Sequence, residues 1–304
     1  MKIINFDLNL NSIYIQEPIS ACIGYFDGLH LGHQALVNKT IAVAKRDATK
    51  TCLITFDPDP NSVLKGCVLQ HIVNFEERLK IAEGFGFDYC LILHFTKEMA
   101  NLSIEEFYTK VLHVLPLKNI VCGFDFHYGQ FGKGNYDTLA AQSNHQFNVY
   151  KIDSVDYLGE KISSSRIRKA IIEGQVDLAS AMLGYQYYLV GKVVHGLNLG
   201  HSLGFPTANL AIDDETLLPG NGVYYGLVLL DKPYKAMISI GTNPTVKEHG
   251  SRTVEAYILD FNQNIYGQEL KIELKEKIRE MMCFDSAKDL VAQLKKDELK
   301  VRSK

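Results

Sequence analysis

Up to about residue 184 the chain alternates short apolar runs with amphipathic segments. Four runs are typical of buried parallel strands, namely residues 21–24, 53–56, 90–93 and 120–123. Between them, Asn74 and Ser103 each stand three residues before a glutamate, which is the capping-box pattern of a helix start. This alternation predicts an α/β, Rossmann-like open sheet with its ligand at the carboxyl ends of the strands.

From residue 187 the pattern changes to β-rich segments separated by Gly, Pro and Asn. Five segments predict strands of an antiparallel β-barrel: 188–194, 222–229, 235–240, 254–259 and 269–274. A C-terminal helix is predicted to start near Ser286, with Asp289 in its first turn. We therefore expect two domains, 1–184 and 185–304.

Composition and charge are those of an ordinary globular protein. The 304 residues carry 32 Lys+Arg and 35 Asp+Glu, a formal net charge of −3, and 46% of them are apolar. This excludes disordered, collagen-like and coiled-coil chains, and the absence of a block of like charges argues against nucleic-acid or membrane-surface binding. Small molecules are the expected ligands, and the sequence does not indicate an oligomeric state.

The six cysteines form no C-x-x-C pair, and several stand in apolar runs, as Cys52 and Cys90 do. Free thiols in a core suit a reducing compartment. The N-terminus lacks the apolar region of a signal peptide, and no run of about 18 apolar residues occurs. We expect a cytoplasmic protein.

The first chemically informative segment is G-Y-F-D-G-L-H-L-G-H at 24–33, which leads into an amphipathic helix. Its glycines permit close approach of the backbone to a ligand, and a helix start offers free N–H groups to phosphates. His30 and His33 are candidates for stabilising charge on phosphate oxygens. A helix cap with two ordinary histidines fits the same pattern, whereas zinc fits poorly because no further Cys, His or Glu cluster is near.

Three later segments add to this one: T-F-D-P-D-P at 55–60, G-F-D-F-H-Y-G-Q-F-G-K-G at 123–134 and I-S-S-S-R-I-R at 162–168. Each alone is compatible with a turn, a glycine loop or a helix cap. Together they resemble the adenylyltransferase module of the prokaryotic bifunctional riboflavin kinase/FMN adenylyltransferase family, whose motifs are G-x-F-D-G-x-H-x-G-H, T-F-x-P-H-P and I-S-S-T-R-I-R.

The resemblance implies Mg²⁺-dependent transfer of the adenylyl group of ATP to FMN, which gives FAD and pyrophosphate. It assigns catalysis to His30 and His33, through positioning and charge neutralisation. The nucleotide-binding residues implied are Gly24, Phe26, Asp27, Gly28, Ser164, Ser165, Arg166 and Arg168. The flavin-binding residues implied in this half are Asn61, Asp125 and Phe126.

A second segment, G-L-N-L-G-H-S-L-G-F-P-T-A-N at 196–209, places glycines before a P-T-A-N tetrad. If the tetrad is extended, Thr207 and Asn209 point to one face and offer two neutral oxygens to a hard cation such as Mg²⁺. Glycine loops beside them can wrap phosphates. A Gly/Pro turn leading into a strand has the same pattern.

Further along, G-V-Y at 222–224, G-T-N-P-T at 241–245 and V-E-A-Y-I-L at 254–259 complete a series that resembles the riboflavin kinase module of the same family. The resemblance implies that Glu255 is the general base on the riboflavin hydroxyl and that Thr207 and Asn209 hold ATP-bound Mg²⁺. It implies nucleotide contacts at Gly200 and Gly204 and a flavin contact at Arg279. A solvated glutamate is the ordinary interpretation of Glu255, because Thr253, Glu255 and Tyr257 share one face of the strand.

Three residues depart from the family pattern. Asp59 stands where the family usually has His, and His127 and His201 stand where it usually has Arg. These changes reduce positive charge at sites for polyphosphates. They leave open a paralogue in which one module has become a flavin-binding or regulatory domain. A sugar or lipid-precursor cytidylyltransferase would share the first motif, but it would lack the second domain.

Overall fold

The computed structural model describes residues 1–8, 15–196, 200, 203–242 and 252–304. It divides into two compact units. The first comprises Met1–Leu69 and Val73–Ser164, and the second comprises Gln70–Ile72 and Ser165–Lys304. His201 and residues 243–245 of the predicted G-T-N-P-T motif lie outside the described residues. Within those residues, no helix combines the length and the apolar character needed to cross a membrane.

The first unit is built on a six-stranded sheet of order β1-β4-β3-β2-β5-β6 in which every neighbouring pair is parallel. Its strands are β1 Lys2–Phe6, β2 Ile19–Ile23, β3 Lys50–Asp57, β4 Tyr89–His94, β5 Leu117–Gly123 and β6 Asn148–Ile152. The predicted open parallel sheet is confirmed, and the four predicted strands are its four central ones. The edge strands β1 and β6 were not predicted.

Helices cover both faces of this sheet. They are α1 Leu31–Asp47, α2 Pro60–Lys65, α3 Phe75–Gly84, α4 Lys97–Ala100, α5 Ile104–Phe107 and α6 Tyr136–Ser143. The predicted caps of α3 and α5 are present: the Asn74 side chain accepts a hydrogen bond from the Glu77 N–H, and Ser103 and Glu106 form a reciprocal capping box. These caps satisfy N–H groups that a helix start leaves without partners.

Consecutive residues of the central strands face opposite cores. Ile54 belongs to a buried cluster with Leu91 and with Phe107 of α5, whereas Leu53 belongs to a second cluster with Val37 of α1. Because both faces are buried, these strands appear in the sequence as continuous apolar runs rather than alternating ones.

A buried polar hub stands near the amino ends of β2 and β5. The amide of Asn119, which is fully buried, donates to Ser20 Oγ at 2.9 Å and to Asp47 Oδ2 at 2.8 Å, and its oxygen accepts from the Asn148 amide at 3.0 Å. Buried polar groups are stable only when they are paired in this way. The hub therefore ties together two strands, the end of α1 and β6.

The second unit contains a closed barrel of order β10-β13-β12-β11-β14-β9, with antiparallel neighbours throughout. A short hairpin and two helices precede the barrel along the chain: β7 Asp156–Tyr157, β8 Glu160–Lys161, α7 Ser164–Ile172 and α8 Val176–Leu183. The barrel strands are β9 Tyr188–Val194, β10 Ala208–Ile212, β11 Gly222–Leu229, β12 Pro233–Thr242, β13 Arg252–Ile258 and β14 Glu269–Arg279. The predicted barrel is confirmed, and β10 is the strand that was not predicted as such.

The C-terminal helix α9, Ala287–Arg302, begins where the sequence predicts, with the Ser286 side chain accepting from the Asp289 N–H. Its apolar side packs on the barrel in a cluster that includes Val223, Met237 and Val301. The packing of α9 thus buries one outer part of the barrel wall.

Helix α8 groups with the barrel rather than with the sheet. The hydroxyl of Ser180 accepts from the Tyr187 N–H at 3.0 Å and from the Gln186 amide at 2.9 Å, and Gln186 also contacts the Leu274 carbonyl oxygen. The main boundary between the compact units therefore lies after Ser164. The expected boundary at residue 184 concerns the functional modules, and it stays a prediction.

The Asn119 hub generates a stability prediction. Asn119→Ala leaves the Ser20, Asp47 and Asn148 groups without their shared partner, so we expect the first unit to lose about 1–3 kcal/mol of unfolding free energy. Hydrogen exchange of the β2 and β5 amides under increasing urea measures this for the first unit alone. Unchanged exchange would show that the hub is not a stabilising element.

Candidate active sites

The loop after β2 turns sharply before α1. Phe26 and Leu29 have φ of 60° and 40°, and both side chains are buried. Gly28, between them, has φ of 74°, a conformation that glycine adopts without strain. Left-handed conformations at non-glycine residues cost free energy and are concentrated at functional sites. Three of the four residues 26–29 at the carboxyl end of β2 thus have left-handed conformations.

His30 and His33 lie against each other. Their ring centroids are 3.7 Å apart with an interplanar angle of 17°, and His30 Nδ1 accepts from the His33 N–H at 3.3 Å as the cap of α1. Because Nδ1 of His30 is an acceptor, the neutral ring carries its proton on Nε2. A Cβ at Gly32 would stand 3.0 Å from Cε1 of His30, so this glycine leaves room for the stacked pair.

Both imidazoles are held neutral. Burial lowers the pKa of His30 from its usual 6.5 to about 4, although the Asp125 carboxylate opposes the shift. Burial, followed by the charges of His30 and Arg78, lowers the pKa of His33 well below its usual value. His33 Nδ1 is buried and has no hydrogen-bond partner among the described residues. The pair can therefore offer N–H donors to phosphate oxygens without carrying charge of its own.

The glycine loop after β5 brings the predicted flavin residues to the same sheet edge. Asp125 is exposed and pairs with Lys161 at 2.9 Å, while Phe126 stacks on Tyr128 with centroids 5.6 Å apart. The Lys161 ammonium also lies 4.1 Å from the centroid of the Phe124 ring. The Asp125 carboxylate also opposes the lowering of the pKa of His30.

The T-F-D-P-D-P segment ends β3 and starts α2. Asp59 is buried and caps α2, since its Oδ1 accepts from the Asn61 N–H at 2.8 Å. Asn61 is exposed on the first turn of that helix. The Thr55 hydroxyl donates to the Tyr25 carbonyl oxygen at 3.0 Å and so joins this segment to the loop after β2. The departure at position 59 therefore has a local structural role.

The serine–arginine segment opens α7. The Ser164 hydroxyl donates to the Asp27 carbonyl oxygen at 3.2 Å, which joins two predicted nucleotide-binding residues within the first unit. Ser165, Arg166 and Arg168 follow on α7 and belong to the second unit, where Ser165 is exposed and both arginines are half-buried. Their nucleotide-binding roles stay predictions.

In the barrel, the three residues predicted for kinase chemistry converge. Asn209 of β10 stands opposite Glu255 of β13, and Ser239 of β12 stands opposite Glu255 on its other side. The Thr207 hydroxyl donates to Glu255 Oε2 at 3.4 Å. Val254 and Ala256 are buried while Glu255 is half-buried, as the alternation in the sequence predicted. A hydroxyl, an amide and a carboxylate thus gather on one side of the barrel wall.

Gly196 lies directly against this group. A Cβ at Gly196 would meet the Asn209 amide, so a larger residue there would require the Asn209 side chain to move. The Gly200 carbonyl oxygen accepts from the Leu203 and Phe205 N–H groups, which holds Gly200 close to the residues ahead of Thr207. Gly204 is exposed beside it, with φ of 82°.

Arg279, predicted to contact flavin, forms a buried ion pair. Its Nε donates to Asp297 Oδ2 on α9 at 2.8 Å, and Asp297 Oδ1 accepts from the Gln293 amide at 2.8 Å. The side chains of Arg279 and Asp297 are 15% and 6% exposed. The pair therefore links the end of β14 to the terminal helix, and a flavin contact of Arg279 stays a prediction.

Comparison with known proteins assigns the chain. The family model described as FAD synthetase matches residues 13–166, and that described as riboflavin kinase matches residues 183–304. The bifunctional riboflavin kinase/FMN adenylyltransferase of Listeria monocytogenes is 34% identical, covering 97% of this chain and 98% of its own. The chain belongs to the bifunctional riboflavin kinase/FMN adenylyltransferase family. Its Escherichia coli K12 relative of that name is 32% identical, covering 99% of this chain and 97% of its own.

A solved structure shows the same fold. A Streptococcus pneumoniae protein that carries the name macrolide-efflux protein matches with a TM-score of 0.89 and 34% identity, covering 99% of each chain. The family models and the curated relatives confirm the resemblance seen in the sequence to the riboflavin kinase/FMN adenylyltransferase family.

Two residues that contact the predicted motif segments, Lys161 and Arg78, were not identified from the sequence. Lys161 immediately precedes the I-S-S-S-R-I-R motif, yet a single lysine beside a motif is indistinguishable from a surface charge. Arg78 lies on α3, and burial leaves it only 2% exposed. Its neighbours E-E-R-L-K are typical of a solvated helix face, and nothing in that pattern predicts burial.

The lowered pKa of His30 predicts a pH dependence of stability. Between about pH 6.5 and pH 4 the unfolded chain binds a proton at His30 and the folded chain does not, so unfolding free energy falls on acidification, by at most about 3 kcal/mol for this residue. His30→Asn keeps a good cap for α1 and removes the titration. Urea unfolding from pH 7 to pH 4 should therefore be less pH-dependent in this variant.

The control for that measurement is His127→Asn, which removes an exposed imidazole. We expect it to retain the wild-type slope. If His30→Asn retained the full slope as well, burial of His30 would not be the source of acid sensitivity.

Proposed function

We propose that this chain makes FAD from riboflavin in two steps. One ATP phosphorylates riboflavin to FMN, and a second ATP adenylylates FMN to FAD with release of pyrophosphate. The observation that carries the proposal is the presence, in one chain, of both family modules, each with its own set of candidate residues. The presence of both supports two activities over a paralogue with a single active module.

Adenylyl transfer is assigned to the edge of the sheet. A phosphate oxygen of FMN attacks the α-phosphorus of ATP, a new P–O bond forms, and the bond to the bridging oxygen of pyrophosphate breaks. His30 and His33 stabilise charge on the phosphate oxygens as neutral donors, assisted by the free N–H groups at the start of α1. Gly24, Phe26, Asp27 and Gly28 shape the nucleotide pocket, while Asn61, Asp125 and Phe126 contact the flavin.

Riboflavin phosphorylation is assigned to the barrel. The 5′-hydroxyl oxygen attacks the γ-phosphorus of ATP, the bond to the β–γ bridging oxygen breaks, and ADP leaves. Glu255 takes the hydroxyl proton, and it acts late because a carboxylate is a far weaker base than an alkoxide. Gly200 and Gly204 allow the backbone to approach the phosphates.

The residues around Glu255 fit Mg²⁺. Thr207, Asn209 and Glu255 supply oxygen donors of the kind that this hard cation prefers. Thr207 and Asn209 would hold the ion with its ATP. Bound Mg²⁺ neutralises phosphate charge and orients the nucleotide.

The protein is also expected to work in the cytoplasm. Cys22, Cys52, Cys90 and Cys122 are buried free thiols in the sheet unit. Burial raises the pKa of Cys22, Cys90 and Cys122 to about 12, so these thiols stay protonated. Buried reduced cysteines suit a reducing compartment.

Chromatography of the products formed from riboflavin, ATP and Mg²⁺ tests the two-step function directly. Glu255→Gln keeps the shape of the side chain but loses the basic oxygen, so riboflavin phosphorylation should fall by about 10²–10⁴-fold while FAD still forms from supplied FMN. His33→Ala is the matched counterpart, with adenylyl transfer reduced about 10²–10³-fold and phosphorylation retained. Loss of both activities in either folded variant would contradict the division between modules.

Asp59 generates a separate prediction. Its carboxylate opposes binding of polyphosphate, but Asp59→His would also remove the cap of α2. Asp59→Asn keeps a cap of equal quality and removes the charge. We expect adenylyl-transfer kcat/KM to rise about 2- to 10-fold, equivalent to about 0.4–1.4 kcal/mol.

Asp59→Ala is the control, because it removes both the charge and the cap. A lower kcat/KM for Asp59→Asn at saturating Mg²⁺ would show that the carboxylate takes part in binding or catalysis.

A further inference from the structure

The first unit contains a buried arginine that the proposed mechanism does not use. Arg78 projects from α3, and its guanidinium donates through Nη1 to the Tyr25 carbonyl oxygen at 2.7 Å and through Nη2 to the Phe56 carbonyl oxygen at 3.0 Å. The Tyr25 ring lies 4.2 Å and the Phe75 ring 4.9 Å from the guanidinium carbon. One side chain thus bridges two separate segments while aromatic rings cover it.

Those two segments carry the adenylyl-transfer motifs. Tyr25 belongs to the loop that follows β2 and leads to His30 and His33. Phe56 stands in β3, one residue before the D-P-D-P turn that contains Asp59. Only a planar fork with several N–H donors can bond two carbonyl oxygens in fixed directions at once, and among side chains this geometry is particular to arginine.

The environment of Arg78 is unusual for a purely structural arginine. Buried arginines are normally paired with a carboxylate. Among the ion pairs of the described residues, Arg78 has none, and its Nε has no hydrogen-bond partner. The Arg78 charge is one of the causes that lower the pKa of His33, after burial and the effect of His30.

We propose that Arg78 is a positioning residue for adenylyl transfer: its buried guanidinium fixes the loop after β2 to the end of β3 and so holds the histidine pair in register with the second motif. The inference rests on the proposed function. Misplacing a catalytic group by about 1 Å costs on the order of 10²-fold in rate, so loss of such a bridge should act on turnover more than on substrate binding.

The test compares Arg78→Lys and Arg78→Met with wild type in FAD formation from FMN and ATP. Arg78→Met should lower kcat about 10- to 100-fold with KM within about 3-fold, because the loops lose their bridge. Arg78→Lys keeps the charge but cannot bond both carbonyl oxygens in the same fork, so it should recover only part of kcat. Riboflavin phosphorylation should be unchanged in both.

Asn119→Ala is the matched control, because it removes a buried polar hub from the same sheet but changes no contact of the loops after β2 and β3. All rates are corrected for the folded fraction at the assay temperature. If the corrected kcat of Arg78→Met equals that of Asn119→Ala, Arg78 only stabilises the fold and does not position the catalytic groups. Wild-type kcat in Arg78→Lys would show that charge alone suffices, which would also overturn the bridge. If Arg78→Met does not fold, the kcat and KM of Arg78→Lys decide between these outcomes.

The same assays keep this inference separate from the proposed function. Wild-type protein that makes no FAD would contradict the proposed function itself. Wild-type protein that makes FAD, beside Arg78 variants with normal kcat, would contradict only the role of Arg78.

Discussion

Parallel strands all end at the same edge of a sheet, and the proposed adenylyl-transfer site depends on this constraint. In the order β1-β4-β3-β2-β5-β6, strand β2 lies between β3 and β5. The three loops that follow these strands are distant in sequence and adjacent in space, so the histidine pair, the D-P-D-P turn and the glycine loop converge without any of them needing to be long. Helix α3 adds Arg78, whose guanidinium bonds the Tyr25 and Phe56 carbonyl oxygens and so reinforces the link that the Thr55 hydroxyl makes between these segments.

In the barrel, the candidate residues are brought together by strand pairing rather than by loops at one edge of a sheet. Its site depends on register, because Asn209, Glu255 and Ser239 are direct neighbours across three antiparallel strands. A slip of one residue would turn Glu255 into the barrel interior, and the buried neighbours Val254 and Ala256 oppose such a slip. In the sheet unit the donors are neutral imidazoles and N–H groups, whereas in the barrel they are oxygens suited to a cation. In the proposed function, two reactions of ATP would thus be served by two kinds of charge stabilisation.

Many of the helix caps and buried strands could be predicted because they depend on local sequence patterns. The caps at Asn74, Ser103 and Ser286 depend on residues three apart, and the buried strands depend on continuous apolar runs. Strands β1 and β6 escaped prediction because edge strands are only partly covered and so lack such a run. The burial of Arg78 depends on contacts 53 and 22 residues away along the chain. The pairing of Arg279 with Asp297 depends on how α9 packs. Helical periodicity contains no information on either contact.

The neutrality of the histidine pair has a consequence for turnover. A site that held phosphates by charged imidazoles would bind pyrophosphate and FAD tightly, and it would have to break ion pairs to release them. Stacked neutral rings act instead as fixed dipoles, whose attraction grows with the charge that develops in the transition state and declines when that charge disperses. In the proposed function, burial of His30 and His33, which is predicted to weaken the unit in acid, would at the same time ease product departure in each catalytic cycle.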